Sequence, residues 1–224
     1  KATSNICTAT ALMATMAGMF AVYHGSKGIR EIAQNGRYYA HVAAGILAAN
    51  GFTVKHENFF DTIELTGVDA ARIKANAQTL KINFFYPDSQ SVRMSFDELS
   101  NDRELETILE IFTIARGTKR YEPQISTFME RSTPVLEEPV FNKYHSETEM
   151  MRYIKTLETR DISLAHSMIP LGSCTMKLNA AVELMPLSWS QWNSVHPFAP
   201  AYQVEGYMQL IKDLEHDLDR KSVV

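Results

Sequence analysis

Cysteine is scarce in this chain: Cys7 and Cys174 are the only two among 224 residues, and they lie in separate parts of it. They form no CxxC metal-ligand pair, and a reducing compartment is the simpler assumption for so few thiols. An excess of one charge is also missing, since 22 basic residues face 26 acidic ones for a net charge of -4. That balance argues against a nucleic-acid or acidic-membrane partner, leaving Lys119-Arg120 and Arg152 to Lys155 as local basic clusters. The longest apolar run near the start, Ile6 to Val22, is interrupted by three threonines. It falls just short of the ~20 residues that span a bilayer, and no basic leader precedes it, so it reads as a core helix. Neither G-x-G-x-x-G nor G-x-x-x-x-G-K-S/T occurs, nor H-x-x-x-H, nor a G-x-S-x-G elbow. Their absence removes the common self-contained enzyme readings. The chain opens on Lys1 rather than Met and ends at KSVV directly after a helical pattern. A piece of a longer polypeptide is therefore expected, with processing as the other route to such ends.

What is present is a clear order of elements. Two helices are expected first, Asn5 to His24 and Lys27 to Ala49, the second closed by Asn50-Gly51, a pair suited to a left-handed exit. Ile32, Tyr39, Val42, Ile46 and Leu47 give the second helix its apolar stripe. Phe52 to Val54 and Phe59 to Leu65 are strand-like, and Thr66 to Asp69 starts a helix running toward Leu80. KINFFYP and SVRMSF then read as two strands separated by the hairpin-like break Asp88-Ser89-Gln90. Asn101 and Glu104 have capping-box spacing ahead of a helix with Leu105, Ile108, Leu109 and Phe112 on one face. The expectation is a small α/β layer, with helices on one side of a short, largely antiparallel sheet.

From Gly117 to Tyr144 periodicity fades between Pro123, Pro134 and Pro139, the best linker candidate, with Phe128 and Met129 as anchors of an ordered crossing. Ser146 and Glu149 then cap a helix whose expected buried face is Met150, Tyr153, Ile154 and Leu157. The final amphipathic helix, Tyr202 to Asp219, has Tyr207, Leu210, Ile211, Leu214 and Leu218 on its apolar side.

Between these last two helices lies HSMIPLGSCTMKLNA, His166 to Ala180. After Gly172, consecutive backbone N–H groups can form a concave nest for an anion, to which Ser173, Thr175, Lys177 and Asn179 add donors. An alternative stands beside this: Cys174 buried as a small hydrophobe, Ser173 and Thr175 satisfying a turn, Lys177 exposed. His166 and His196 flank the region and can stack on a cofactor ring or move a proton, although structural hydrogen bonding is the commoner use of histidine. The His24-Gly25 pair and Gly28 read as helix punctuation, and His145, beside the Ser146 cap, as structural.

Five blocks carry a resemblance: TSNICTATALMATMAGMFAVYHG, HENFFDTIEL, FNKYHSETEMMRYIKTLE, HSMIPLGSCTMKLNAA and WNSVHPFAPAYQVEGY. Together they resemble the P-protein family of the glycine cleavage system, pyridoxal-phosphate-dependent glycine dehydrogenases (decarboxylating), from Thr3 to about Leu218. The resemblance implies a parent of roughly four times this length, built of two halves of fold-type-I, aspartate-aminotransferase architecture, of which only the second holds the cofactor lysine. Residues 1–118 would end the non-catalytic half with its small α/β subdomain, 119–161 would connect the halves, and 162–224 would open the catalytic half. Active-site border candidates are then His166, Ser173, Cys174, Thr175, Lys177, Asn179 and His196. The implied reaction takes carbon dioxide from glycine and passes the aminomethyl group to the lipoyl arm of H-protein, with pyridoxal phosphate as electron sink. A homodimer is implied, in the bacterial cytoplasm or, for a eukaryote, the mitochondrion. The sequence departs from the family in one respect: the cofactor lysine sits in an Asn-Leu-His-Lys context absent here, and Lys177 does not replace it. The chain alone is accordingly expected to bind no cofactor and to be inactive. The competing reading is a structural or dimerisation module of another fold-type-I protein.

Overall fold

The computed structural model describes residues 11–115, 131–160 and 181–222. It separates into two compact units, Lys1–Leu157 and Glu158–Val224.

The first unit opens with the helical run α1, Ala11–Ala49, broken at Gly25, so that two helices arise close to where the sequence places them. Its C-terminal part is lined with Ala40, Val42, Ala43, Ala44, Ile46 and Leu47, all buried, while Ile32 and Tyr39 of the expected stripe are half-buried. Asn50-Gly51 closes it with Gly51 at φ 87, and Phe52 N–H donates back to the Leu47 carbonyl at 3.1 Å.

Three strands follow, β1 Thr53–Val54, β2 Thr62–Thr66 and β3 Ser91–Ser95, in the antiparallel order β1-β2-β3. The register pairs Ile63 with Met94 and Leu65 with Val92, which puts four apolar side chains on one face because side chains alternate along a strand. That face meets α1, α2 (Ala70–Thr79) and α3 (Asp102–Ile111) in a single core in which Leu47, Leu65 and Val92 are fully enclosed. Each such burial contributes on the order of 2 kcal/mol. Asp69 caps α2 by accepting from Arg72 N–H at 3.0 Å, and Asn101 caps α3 by accepting from Glu104 N–H at 3.1 Å. The expected face of α3 is buried throughout: Leu105, Ile108, Leu109 and Phe112.

The expected strand KINFFYP does not form. Only Phe85 bridges to Arg93, exchanging two backbone hydrogen bonds at 3.1 and 2.8 Å. Lys81 stands at φ 59 and donates to the Gln78 carbonyl, and Pro87, without an N–H, ends the pairing. The break at Asp88-Ser89-Gln90 serves α2 instead: Gln90 and Ser89 carbonyls accept from Val68 N–H at 3.0 Å and Ala70 N–H at 3.2 Å.

Of the expected linker, Pro123, Phe128 and Met129 lie outside the described residues. Its later part forms a 3-10 turn, Pro139–Asn142, that packs on α1. Next comes α4, Glu147–Glu158, capped as expected by Ser146, whose hydroxyl accepts from Glu149 N–H at 3.3 Å and donates to its carboxylate at 3.0 Å. Its apolar face is not buried: Met150, Tyr153 and Leu157 are half-buried and Ile154 is exposed, since no described element lies across it.

In the second unit, α5 (Ala181–Leu184), α6 (Ser190–Asn193) and short 3-10 turns lead to α7, Glu205–Ser222. Tyr207 is half-buried, its ring 5.0 Å from that of Trp192 and its hydroxyl donating to the Trp192 carbonyl. The rest of the expected stripe, Leu210, Ile211, Leu214 and Leu218, is exposed. Among the described residues no helix is long and apolar enough to cross a membrane.

Candidate functional site

Of the seven candidate site residues, His166, Ser173, Cys174, Thr175, Lys177 and Asn179 lie outside the described residues. His196 is described, and it is exposed in a turn. Its Nδ1 accepts from Phe198 N–H at 3.0 Å, which leaves the Nε2 position for the proton of the neutral ring, and its carbonyl accepts from Ala199 N–H at 2.9 Å. One ring nitrogen is thus committed to local turn structure. Around it Trp189, Phe198 and Tyr202 expose their rings, an aromatic-rich stretch made by the Pro-rich sequence between α5 and α7.

The first unit holds polar arrangements of a different kind. Glu64, in the middle of β2, is buried on the outer face of the sheet, where alternation aims it away from the apolar core. Its two carboxylate oxygens are taken separately, by Lys55 Nζ at 2.7 Å and by Arg93 Nη2 at 2.6 Å, in a row running from Lys55, just past β1, through β2 to β3. Hydrogen bonding from Lys55, then from Arg93, holds the carboxyl below its ordinary 4.5. Arg93 also lies 5.4 Å from the centroid of the Phe85 ring. These groups satisfy one another, so the row is an ion network that fastens strands rather than a reactive pair.

Tyr86 is the opposite case. Its hydroxyl is buried with no hydrogen-bond partner among the described residues, and desolvation pushes its pKa up to about 12. The Lys74 ammonium lies 5.8 Å from its ring centroid. Glu104 is raised by burial and by the nearby Asp97 charge, and Tyr39, which donates to Asp102 at 3.0 Å, is raised chiefly by burial.

Clefts lined by described residues of this unit include two. One gathers Thr53, Thr66, Gly67, Asp69 and Arg72 at the start of α2, and the other gathers Asn101, Arg103, Glu104 and Thr107 on α3. Neither is lined by a lysine, a histidine or a cysteine. Among the described residues no group of three or more His, Cys, Asp or Glu side chains is placed to hold a metal ion. Neither cleft, as lined, brings a lysine, histidine or cysteine together with a base.

Sequence reasoning missed the Glu64 row, although strict alternation in TIEL and VRM put Glu64 and Arg93 on the polar face. It also took His24-Gly25 and His145 as separate local features, whereas the structure joins them. The His145 ring nitrogen Nδ1 lies 2.7 Å from the Tyr23 carbonyl, 122 residues away in sequence.

Comparison with known proteins bears on the whole chain. The sequence model of the family described as Glycine cleavage system P-protein matches residues 1–112. The chain is 48% identical to a glycine dehydrogenase (decarboxylating) of Flavobacterium johnsoniae, over 98% of this chain and 24% of that protein. It is 48% identical to the protein of the same name from Christiangramia forsetii, over 97% of this chain and 24% of that one. A mitochondrial glycine dehydrogenase (decarboxylating) of Gallus gallus is 45% identical over 97% of this chain and 23% of its own length. The chain thus spans about a quarter of the length of the curated relatives it matches. With half of its residues under the family's model and near-complete coverage by relatives of one name, the chain belongs to the glycine cleavage system P-protein family.

Proposed function

We propose that this chain is a portion of a glycine-decarboxylating P-protein in which it supplies supporting structure and one border of the active site, while the reacting centre lies in sequence beyond these residues. The observation that carries the reading is identity of 44 to 48% with glycine dehydrogenases (decarboxylating) across almost the entire chain. On this reading residues 1–118 end the non-catalytic half, 119–161 connect the halves and 162–224 open the catalytic half, in fold-type-I architecture. The mixed α/β layer within 36–115, and a match to the family model that runs to residue 112, support the first of these boundaries. The parent removes carbon dioxide from glycine and delivers the aminomethyl group to lipoylated H-protein, as a homodimer, in the bacterial cytoplasm or the mitochondrion.

Neither of the two described clefts fits pyridoxal phosphate. A carbonyl cofactor needs an amine within an enclosed pocket and donors for its phosphate. The cleft at α2 offers Arg72 but sets the Asp69 carboxylate beside it, and neither cleft presents a lysine. The residues that fit the chemistry by type, Ser173, Thr175, Lys177 and Asn179, are those of the GSCTMKLN block, as donors to a carboxylate or phosphate.

The test measures carbon dioxide released from carboxyl-labelled glycine in the presence of pyridoxal phosphate and lipoylated H-protein. The 224-residue chain gives no release above a heat-denatured control, whereas a polypeptide that continues through the Asn-Leu-His-Lys context does. Release by the short chain would overturn the division of labour, and no release by the longer one would overturn the activity.

A further inference from the structure

We infer that Gly25 and His145 form a latch, in which a notch in α1 receives the chain segment that leads into α4 and sets the direction in which that segment departs. Gly25 interrupts α1 at φ 62 and ψ -173, a backbone conformation essentially confined to glycine. A break of this kind ordinarily leaves helix carbonyls without partners. Here the Tyr23 carbonyl, at the end of the first helical part, is met at 2.7 Å by Nδ1 of His145, a nitrogen that donates in the matching neutral tautomer and in the imidazolium alike.

The incoming segment occupies the space that a side chain at position 25 would need. A Cβ there would lie 2.5 Å from the Phe141 carbonyl oxygen and 2.8 Å from Cε1 of His145. The first of these is a backbone atom, in the turn Pro139–Asn142, and cannot swing aside as the end of a flexible side chain does. Two independent features, a conformation only glycine adopts and a contact only glycine permits, therefore coincide at one residue. The contact is with the same segment that supplies His145 to the Tyr23 carbonyl. Beyond His145 the chain is taken up at once by the Ser146 cap and α4, where the Tyr144 and Tyr153 rings stack at 4.2 Å, so the orientation set at the latch passes to the helix without an intervening loop.

Gly25 and His145 are in this sense positioning residues, acting on the backbone path rather than on a substrate. Any bearing of the latch on the catalytic half rests on the function proposed above. The latch itself does not, and its test involves no activity.

Limited trypsin digestion of the chain, with cleavage sites followed by mass spectrometry, reads it directly. Lys143 lies within the latched segment and is exposed, while Arg93 in β3 reports general loss of structure. His145→Ala and Gly25→Ala are expected to speed cleavage after Lys143 about five- to tenfold with cleavage after Arg93 unchanged, since removing one hydrogen bond or seating contact raises the open population by about that factor. His145→Asn, whose amide nitrogen can take the Nδ1 position, is expected to return the rate to within about twofold of the parent chain. Should Gly25→Ala fail to fold, the His145→Ala and His145→Asn pair carries the test. An unchanged rate at Lys143 in His145→Ala, an equal rise at Arg93, or no rescue by asparagine would each overturn the latch.

Discussion

Two helices with the same kind of sequence pattern meet different fates in this molecule. In α3 the residues Leu105, Ile108 and Leu109 are at most 8% exposed, while in α7 the equivalent stripe of Leu210, Ile211, Leu214 and Leu218 is 47 to 60% exposed. Periodicity states which face of a helix gains by leaving water; whether it does so depends on what the rest of the polypeptide places opposite. In the first unit the sheet of β1, β2 and β3 provides that surface, and every described buried apolar side chain falls between Val22 and Ile114. α4 repeats the lesson within the same unit, with a well-formed cap and an uncovered face.

The largest effects belong to the closed core. Leu47→Ala, at a fully enclosed position, is expected to cost about 2–5 kcal/mol in chemical denaturation followed by circular dichroism, whereas Leu214→Ala should change stability by no more than about 0.5 kcal/mol. Similar costs at both positions would mean that α7 is packed in solution. A gain is expected from Tyr86→Phe, which removes a buried hydroxyl that has no partner among the described residues: up to about 1 kcal/mol more stability in the same assay. A loss instead would show that the hydroxyl is satisfied.

The Glu64 row sharpens the comparison through pH. Its carboxyl is held below the ordinary 4.5, so its contribution to stability is complete above that value and is lost as pH falls through the lowered one. Thermal midpoints of the parent chain should therefore drop more steeply than those of Glu64→Gln as pH is taken below 4.5, with the two curves converging toward acid. Parallel curves would remove the row from the account. The smallest effect concerns the uncovered faces: light scattering at tens of micromolar protein is expected to show concentration-dependent association, weakened by placing Asp at Leu214, and a clean monomer would contradict it.

Local chemistry was legible and distant pairing was not. Asn101 and Ser146 were readable as caps because a cap and its amide lie three residues apart, and Asn50-Gly51 as an exit for the same reason, whereas at α2 the sequence marked only Thr66 to Asp69 as a start, within which Asp69 proves to be the cap. KINFFYP misled because its aromatic alternation fits a strand, while its neighbours direct their backbone groups to α2 and Pro87 stops the ladder after one bridge. Glu64 escaped notice because its partners stand 9 and 29 residues away, and His145 because the Tyr23 carbonyl is 122 residues away. For the candidate site, residue chemistry suggested an anion nest beside a turn-and-core alternative, and only family resemblance suggested an active-site border. No periodicity governs the GSCTMKLN block, and of the seven residues named only His196 lies among those described, with one ring nitrogen held by its own turn.

The central claim, that these residues support a glycine dehydrogenase without completing its cofactor site, is tested most directly by borohydride trapping after incubation with pyridoxal phosphate, followed by peptide mapping. Labelling should be substoichiometric and spread over several surface lysines, with no saturable position. One saturable adduct at a single lysine, Lys177 above all, would contradict the account by placing a working cofactor amine inside this chain.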